Sequence, residues 1–219
     1  YVKYVDHDAI LHCFTEDNGF QSFFARGIYS QKNKKKAYLL PLNQLHLSIN
    51  SHSKSGAMPQ ISKIELIENK DFYTNVKANA IIFFVADFLN QILKLENKNS
   101  EIYSSILSFL NEVERKNYQA HYIFLYILIE ILGFEPLNSS GIYLNPETGS
   151  FENEISHPIF NSEISRVYKA LSTENHKYNF KLNSKIKKEF LESLLVYFQY
   201  HVSDFREPKS LEILQQIFE

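Results

Sequence analysis

Short apolar stretches separated by turn residues fill the first third of the chain. They are rich in aromatic and β-branched residues, which is typical of β-strands. The turn pair Asn18-Gly19 leads into the third stretch, and Pro41 lies near the start of the fourth, where its missing N–H does least harm. This spacing predicts a small closed or nearly closed β-barrel and leaves the strand order open. The predicted strands are Val2–Val5, Ala9–Phe14, Gln21–Tyr29, Leu39–Ile49 and Ile61–Ile67.

The hydrophobic pattern takes a helical period after residue 72. Apolar residues recur every three or four positions from Val76 to Leu95 and from Ile102 to Val113, and Asn75 is a suitable N-cap. The stretch from Tyr118 to Leu132 is apolar on nearly every face, which predicts a central buried helix that ends at Gly133. Further helices are predicted at Asn161–Leu171, Lys185–Val202 and Ser210–Phe218.

The change of period predicts an α+β protein in two domains. Residues 1–70 form the β-barrel, and residues 71–219 form an all-helical domain with a long loop at 137–159, where Gly, Asn and Pro pairs favour turns. We expect the boundary near residues 69–73.

The charge of the chain is unevenly distributed. The net charge is −2, but residues 1–70 carry nine Lys and Arg against six Asp and Glu. Between Asp17 and Glu65 there is no acidic residue, while seven Lys and Arg occur there. A polyanion is therefore expected to bind the first third of the chain.

A cluster of four lysines between the third and fourth predicted strands is the strongest candidate for such a site. Single-strand binders combine a positive groove with aromatic rings, because phosphates supply the charge and each base offers a π face. A solvated surface turn is the alternative interpretation. The predicted DNA-binding residues are Arg26, Lys32, Lys34, Lys35 and Lys36, with Phe24 and Tyr29 as base contacts.

Evidence for catalysis in the sequence is thin. Asp6-His7-Asp8 could hold a divalent ion for a metal-dependent phosphodiesterase, but no second cluster accompanies it, and a polar turn between strands is favoured.

The single cysteine, Cys13, excludes an internal disulfide and a four-cysteine zinc site, and it fits a reducing cytosol. The most apolar run, Tyr122 to Leu132, is too short to span a membrane. A protein-interaction scaffold without DNA binding is another open alternative.

Several segments, in their order along the chain, resemble the bacterial recombination mediator family RecO. They are FTEDNGFQSFFARG (Phe14–Gly27), the lysine cluster, LLPLNQLHL (Leu39–Leu47), LGFEP (Leu132–Pro136) and Lys209-Ser210-Leu211. The resemblance implies an OB-fold-like barrel, a helical domain and no enzyme activity. It also implies binding to single- and double-stranded DNA, annealing of complementary strands, and cooperation with RecR to load RecA on DNA coated with single-strand-binding protein.

The chain departs from the family pattern at two places. The resemblance implies an opening strand that would precede Tyr1, so the barrel is expected to lack its first strand. Many members carry a four-cysteine zinc module after the LGFEP-like segment, where this chain has Asn138-Ser139-Ser140-Gly141. We therefore expect no cofactor.

The start of the helix after Asn183 is the predicted site for the acidic C-terminal tail of single-strand-binding protein. Lysines near a helix N-terminus attract an anion, and apolar residues follow them at helical spacing. Solvated lysines above an ordinary core face are the alternative. The predicted partner-binding residues are Lys185, Lys187, Lys188, Phe190, Leu191 and Leu194.

Overall fold

The computed structural model describes residues 1–31, 33–50, 57–68 and 72–218, apart from the side chains of Lys34 and Tyr73. The chain forms two compact units, residues 1–103 and residues 104–219. The described strands of the first unit precede residue 67, and the first α-helix begins at Val76. A domain boundary near residues 69–73 stays a prediction.

The strands of the first unit form two antiparallel sheets. Strands β1, β2 and β3 pair in that order, and β4 pairs with β5. Strand β3 begins at Gly19, whose φ of 68° suits the turn predicted there. The bounds are β1 Val2–Tyr4, β2 Asp8–Thr15, β3 Gly19–Ala25, β4 Leu45–Ile49 and β5 Ile61–Leu66.

The fourth strand is shorter than the sequence predicted. A 3-10 helix occupies Lys34–Leu39, and β4 begins only at Leu45. Between them, Pro41 has no N–H to donate, Leu42 has a φ of 58°, and the Asn43 N–H donates to Leu40. These features favour a turn, so the prediction of a strand from Leu39 was wrong.

One hydrophobic core holds the two sheets together. Residues of alternate positions on β2, such as Ala9 and Leu11, share this core with Ile64 of β5 and Leu39 of the 3-10 helix. A parallel bridge between Phe24 and Gln60 connects the sheets. The predicted antiparallel β region before a helical region is confirmed, while closure into a full barrel stays a prediction.

Side-chain caps start the helices where the sequence indicated. The Asn75 side chain accepts a hydrogen bond from Ala78 N at 3.1 Å, so the predicted cap is confirmed. Asn99 caps the next helix in the same way. The bounds are α1 Val76–Ile92, α2 Ser100–Glu114, α3 Ala120–Ile131, α4 Ser162–Thr173, α5 Lys187–His201 and α6 Leu211–Phe218.

Helix α3 forms the centre of the second unit. Nine of its twelve residues are buried, which confirms the predicted central helix and gives it apolar partners on several sides. Phe124 stacks on Phe109 of α2, with ring centroids 4.7 Å apart. The helix is followed by Gly133, with a φ of 81°, as the sequence predicted.

A short hairpin lies within the segment that was predicted as a loop. Strands β6 (Tyr143–Leu144) and β7 (Phe151–Glu152) pair antiparallel. Leu144 and Phe151 are buried, and the Leu144 N–H donates to Ser165 Oγ of α4 at 2.9 Å. Packing of these two residues holds the segment, whereas Ile142 is exposed.

Candidate nucleic-acid interface

Tyr29 is the centre of a cationic patch on the first unit. The Lys36 Nζ lies 5.5 Å from the centroid of the Tyr29 ring, and the Lys3 Nζ lies 5.8 Å from it. The Tyr1 ring is 6.2 Å away. Burial and a hydrogen bond with Tyr1 raise the pKa of the Tyr29 phenol to about 12, so the ring is neutral at pH 7. We call Lys3, Tyr29 and Lys36 the Tyr29 patch.

Sequence reasoning missed Lys3, which lies 26 positions before Tyr29 in the chain. The register of β1 on β2 places Lys3 opposite Ala9, and the Tyr29 N–H donates to His7 O at 2.9 Å. Together these contacts bring the two residues to one place. Charge counting alone could not identify Lys3, because its role depends on strand pairing.

The backbone before the lysines is held by side chains. Gly27 has a φ of 64°, and its N–H donates to Asp8 Oδ1 at 2.7 Å. Asn33 donates from Nδ2 to Gly27 O and accepts from Lys35 N at 2.9 Å, which caps the 3-10 helix. These contacts hold the backbone at Gly27 and at Lys35.

Lys35 has a different environment from Lys36. Its Nζ donates to Ile64 O at 3.0 Å and thereby ties the 3-10 helix to β5. A small cavity of about 170 Å³ lies beside it, lined also by Arg26 and Ser62. Lys35 thus stabilises the fold locally, whereas Lys36 is exposed.

Of the remaining predicted DNA-binding residues, the structure describes the side chains of Arg26 and Phe24. Arg26 is exposed just after β3. Phe24 lies on the face of the β1–β2–β3 sheet that points away from the hydrophobic core of the first unit (the β core), whereas Tyr29 packs against this core. Lys32 lies outside the described residues, as does the side chain of Lys34. The structure therefore brings Tyr29 and Lys36 together and separates Phe24 from them.

Two acidic residues of the first unit have defined partners. Asp8 accepts from the Gly27 N–H, and Glu65 pairs with Lys63 at 2.9 Å. The hydrogen bond from Lys63 is the main cause that lowers the pKa of Glu65.

The surroundings of Asp6, His7 and Cys13 do not indicate catalysis. Asp6 and His7 are exposed in the turn between β1 and β2. Among the described residues, no group of three or more His, Cys, Asp and Glu could hold a metal ion. Cys13 packs against the β core, and burial raises the pKa of its thiol to about 11, which makes it a poor nucleophile.

The second unit contains a basic cavity of about 500 Å³. Glu112 lies in its wall and is paired with Arg115 at 3.1 Å. Tyr178 contributes a buried hydroxyl that has no hydrogen-bond partner among the described residues. Burial also raises the pKa of this phenol, so it is neutral. The other cations of the wall are Lys116, Lys181 and Lys187, and aromatic rings come from Tyr118, Tyr122 and Phe218.

The predicted partner-binding residues divide into two groups around this cavity. Lys187 lines it, while Lys185 and Lys188 are exposed near the start of α5. The three apolar residues are buried in the core, with exposed fractions of 0%, 3% and 0% for Phe190, Leu191 and Leu194. Their use as an accessible groove is not visible in this structure, and the site itself stays a prediction.

Fold and site together define a class of protein: a small antiparallel β module with a cationic patch, followed in the chain by a helical unit with a basic cavity. Residues 1–70 match the family model described as "Recombination protein O N terminal".

Curated relatives match almost the whole chain. "DNA repair protein RecO" of Flavobacterium psychrophilum is 26% identical over 99% of this chain and 94% of its own length. The proteins of the same name from Christiangramia forsetii and Azobacteroides pseudotrichonymphae are 28% and 26% identical, over 99% and 100% of this chain and 95% of their own lengths. The chain is thus similar to RecO proteins along nearly its whole length, and its first 70 residues are similar to the N-terminal segment of that family. No helix in the described ranges is long and apolar enough to cross a membrane.

Proposed function

We propose that this chain is a DNA-binding recombination mediator that works by binding and not by catalysis. It binds single- and double-stranded DNA, anneals complementary strands and, with RecR, helps to load RecA on DNA coated with single-strand-binding protein. The cytoplasm, where bacterial DNA lies, is its proposed place of action. The similarity to RecO proteins over nearly the whole chain supports this role.

The convergence of Lys3 and Lys36 on Tyr29 is the observation that carries the DNA-binding proposal. Two lysines from distant positions offer ammonium groups around one aromatic ring, which suits phosphates beside a base. Such contacts do not depend on sequence and exchange readily. An annealing protein needs this property, because it must let two strands pair and then release them.

Fluorescence anisotropy with labelled single-stranded DNA across a salt series tests the proposal. Each phosphate contact contributes about 0.7 to the slope of log K against log salt, so about five contacts give a slope near −3.5. The cations expected to make them are Lys3, Arg26, Lys32, Lys34 and Lys36. Affinity that does not depend on salt would favour an interaction scaffold. Cleavage of labelled DNA with Mg²⁺ or Mn²⁺ would favour a phosphodiesterase.

The basic cavity of the second unit supports a proposed site for the C-terminal tail of single-strand-binding protein. This tail is acidic and ends in an apolar residue with a free carboxylate. Lys116, Lys181 and Lys187 offer the cations, and Tyr122 and Phe218 offer apolar surface in place of the buried leucines. A labelled tail peptide should bind wild type and should bind Lys187→Glu, Lys188→Glu at least ten-fold more weakly. Lys209→Glu, an exposed lysine elsewhere, is the control. Equal affinities for all three would contradict the site.

A further inference from the structure

The face of β1–β2–β3 opposite the β core carries aromatic residues on all three strands. Because side chains alternate along a strand, Ala9 and Leu11 enter the core while the residues between and after them point to the other face. The register confirms this arrangement across the strands. It pairs Ile10 with Phe24, His12 with Ser22 and Phe14 with Phe20, and it places Tyr4 opposite Asp8.

Two ring pairs on this face have defined geometry. The His12 ring stacks on Phe20, with centroids 5.8 Å apart and planes at 14°. Its Nδ1 lies 2.9 Å from Ser22 Oγ, which fixes the orientation of the imidazole. The Tyr4 ring meets the Phe24 ring edge to face, with centroids 5.9 Å apart and planes at 82°. We call Tyr4, His12, Phe20 and Phe24 the outer aromatic row.

The outer aromatic row is accessible to a ligand. His12 is exposed, Tyr4 is 51% exposed, and Phe20 and Phe24 are half-buried. Burial and the nearby charge of Lys94 lower the pKa of His12, so its ring is neutral at pH 7 and can stack as an aromatic group.

Cations adjoin the row on two sides. Lys94 is close enough to His12 to affect its pKa, and Lys3 of the Tyr29 patch directly precedes Tyr4 on β1. Neighbouring side chains of a strand point to opposite faces, so a ligand that crosses the edge of β1 meets the patch and then the row. A flexible polyanion with exposed aromatic bases fits both surfaces.

We infer that the outer aromatic row binds the unpaired bases of single-stranded DNA by stacking and so gives this chain a preference for single over double strands. The inference rests on the proposed DNA binding. Lysine–phosphate contacts are available on both forms of DNA, whereas base faces are free only in a single strand. The patch then supplies general affinity, and the row supplies the distinction between the two forms.

Tyr4→Ala and His12→Ala test the inference in the chain of 219 residues, with anisotropy measured on a labelled single strand and on the matching duplex. Each variant should weaken single-strand binding by about five- to 150-fold, the range of one base–aromatic stack, and leave duplex binding unchanged. A single strand carrying 2-aminopurine should lose fluorescence on binding wild type and should lose less on binding the variants. Tyr200→Ala and His176→Ala, at exposed positions of the second unit, are the matched controls.

An abasic single strand tests the same point without any substitution. Wild type should bind it more weakly than the base-bearing strand. Equal affinity for the two strands, or unchanged single-strand affinity and quenching in both variants, would overturn the inference while DNA binding stands. Equal loss on single strand and duplex would also overturn it. Failure of wild type to bind any DNA would overturn the proposed function as well.

Discussion

Gly19 combines two constraints at the start of β3. Its φ is 68°, and a Cβ atom built there would overlap the backbone of Glu96 and Asn97. The adjacent Phe20 N–H donates to Glu96 O at 3.0 Å, so this close approach is part of the native contact between the turn and the segment after α1. Gly27 has a similar φ, of 64°, but has open space around it.

Gly19→Ala should therefore destabilise the protein more than Gly27→Ala. The left-handed backbone alone costs an alanine about 1–2 kcal/mol, which both variants pay. Gly19→Ala adds the displacement of a backbone segment. Urea unfolding of the two variants measures the difference in the free energy of unfolding. Equal losses of free energy in both variants would show that the backbone of Asn97 can move away from residue 19 without destabilising the protein.

His121 is a fully buried histidine of α3. Burial, with a smaller effect of the Lys187 charge, lowers its pKa to about 3. Its ring lies 4.0 Å from the Tyr122 ring. The native protein therefore keeps this imidazole neutral at pH values where the unfolded chain binds a proton.

Because only the unfolded chain protonates His121 below the ordinary histidine pKa of 6.5, the free energy of unfolding should fall as the pH falls below this value. The contribution of His121 should level off near pH 3, where the native protein also binds the proton. At about 1.4 kcal/mol per pH unit, the His121 contribution between pH 6.5 and pH 5 is a loss of about 2 kcal/mol. His121→Phe should lose this part of the pH dependence, and the exposed His176→Ala should keep it. Urea unfolding at pH 7 and pH 5 gives the comparison, and identical slopes for wild type and His121→Phe would contradict it.

Among the structural elements, the 3-10 helix and β1 together present the Tyr29 patch. Lys35 connects this helix to β5 by donating a hydrogen bond to Ile64 O. Replacement of Lys35 could therefore change both the stability of the fold and the affinity for DNA. Lys3 and Lys36 are both exposed, and they separate the two effects.

Lys3→Glu, Lys36→Glu should weaken binding to single-stranded and double-stranded DNA alike. Removal of two phosphate contacts should also reduce the salt slope for single strands by about 1.4. Anisotropy across the salt series measures both quantities. Lys185→Glu, Lys209→Glu, at two exposed positions of the second unit, controls for the same change in net charge. A Lys3→Glu, Lys36→Glu variant with an unchanged slope would move the phosphate contacts to other residues.

The β6–β7 hairpin depends on packing for its stability. Leu144 is fully buried, whereas Ile142 of the same segment is 54% exposed. Leu144→Ala should cost about 2–5 kcal/mol of unfolding free energy, because it leaves a cavity under the hairpin. Ile142→Ala should change the free energy of unfolding by no more than about 0.5 kcal/mol. Urea unfolding measures both variants.

The purified protein should hold no stoichiometric zinc, and a chelator should not shift its unfolding. Zinc released only on unfolding would contradict this account.

For the whole molecule, each proposed site is built from residues of a single compact unit. The Tyr29 patch lies in residues 1–103 and the basic cavity in residues 104–219. Lys3→Glu should therefore weaken DNA binding and spare the tail peptide, while Lys187→Glu should do the reverse. Anisotropy with both ligands on both variants measures this. Loss of both ligands in either variant would indicate one shared site.

Local patterns of the sequence were sufficient for the order and type of most elements. Helix caps such as Asn75, the Gly at position 133 and the turn pair Asn18-Gly19 act within a few residues, so their effect can be derived without knowledge of distant contacts. Charge counting likewise located the cation-rich third of the chain. The β6–β7 hairpin was missed because two-residue strands have too little alternation to show a period.

Contacts between distant residues could not be derived in this way. The pairing of β1 with β2 brings Lys3 to Tyr29, and the same register turns Phe24 to the outer face. Tertiary packing also buries Phe190 and Leu194. Their helical spacing after the lysines had led to the prediction that they bind a partner. Periodicity shows that a residue lies on an apolar face, but the neighbours that cover this face come from elsewhere in the chain. For this reason the sequence determined the elements and their charge, whereas the packed fold decided which side chains meet to form a site.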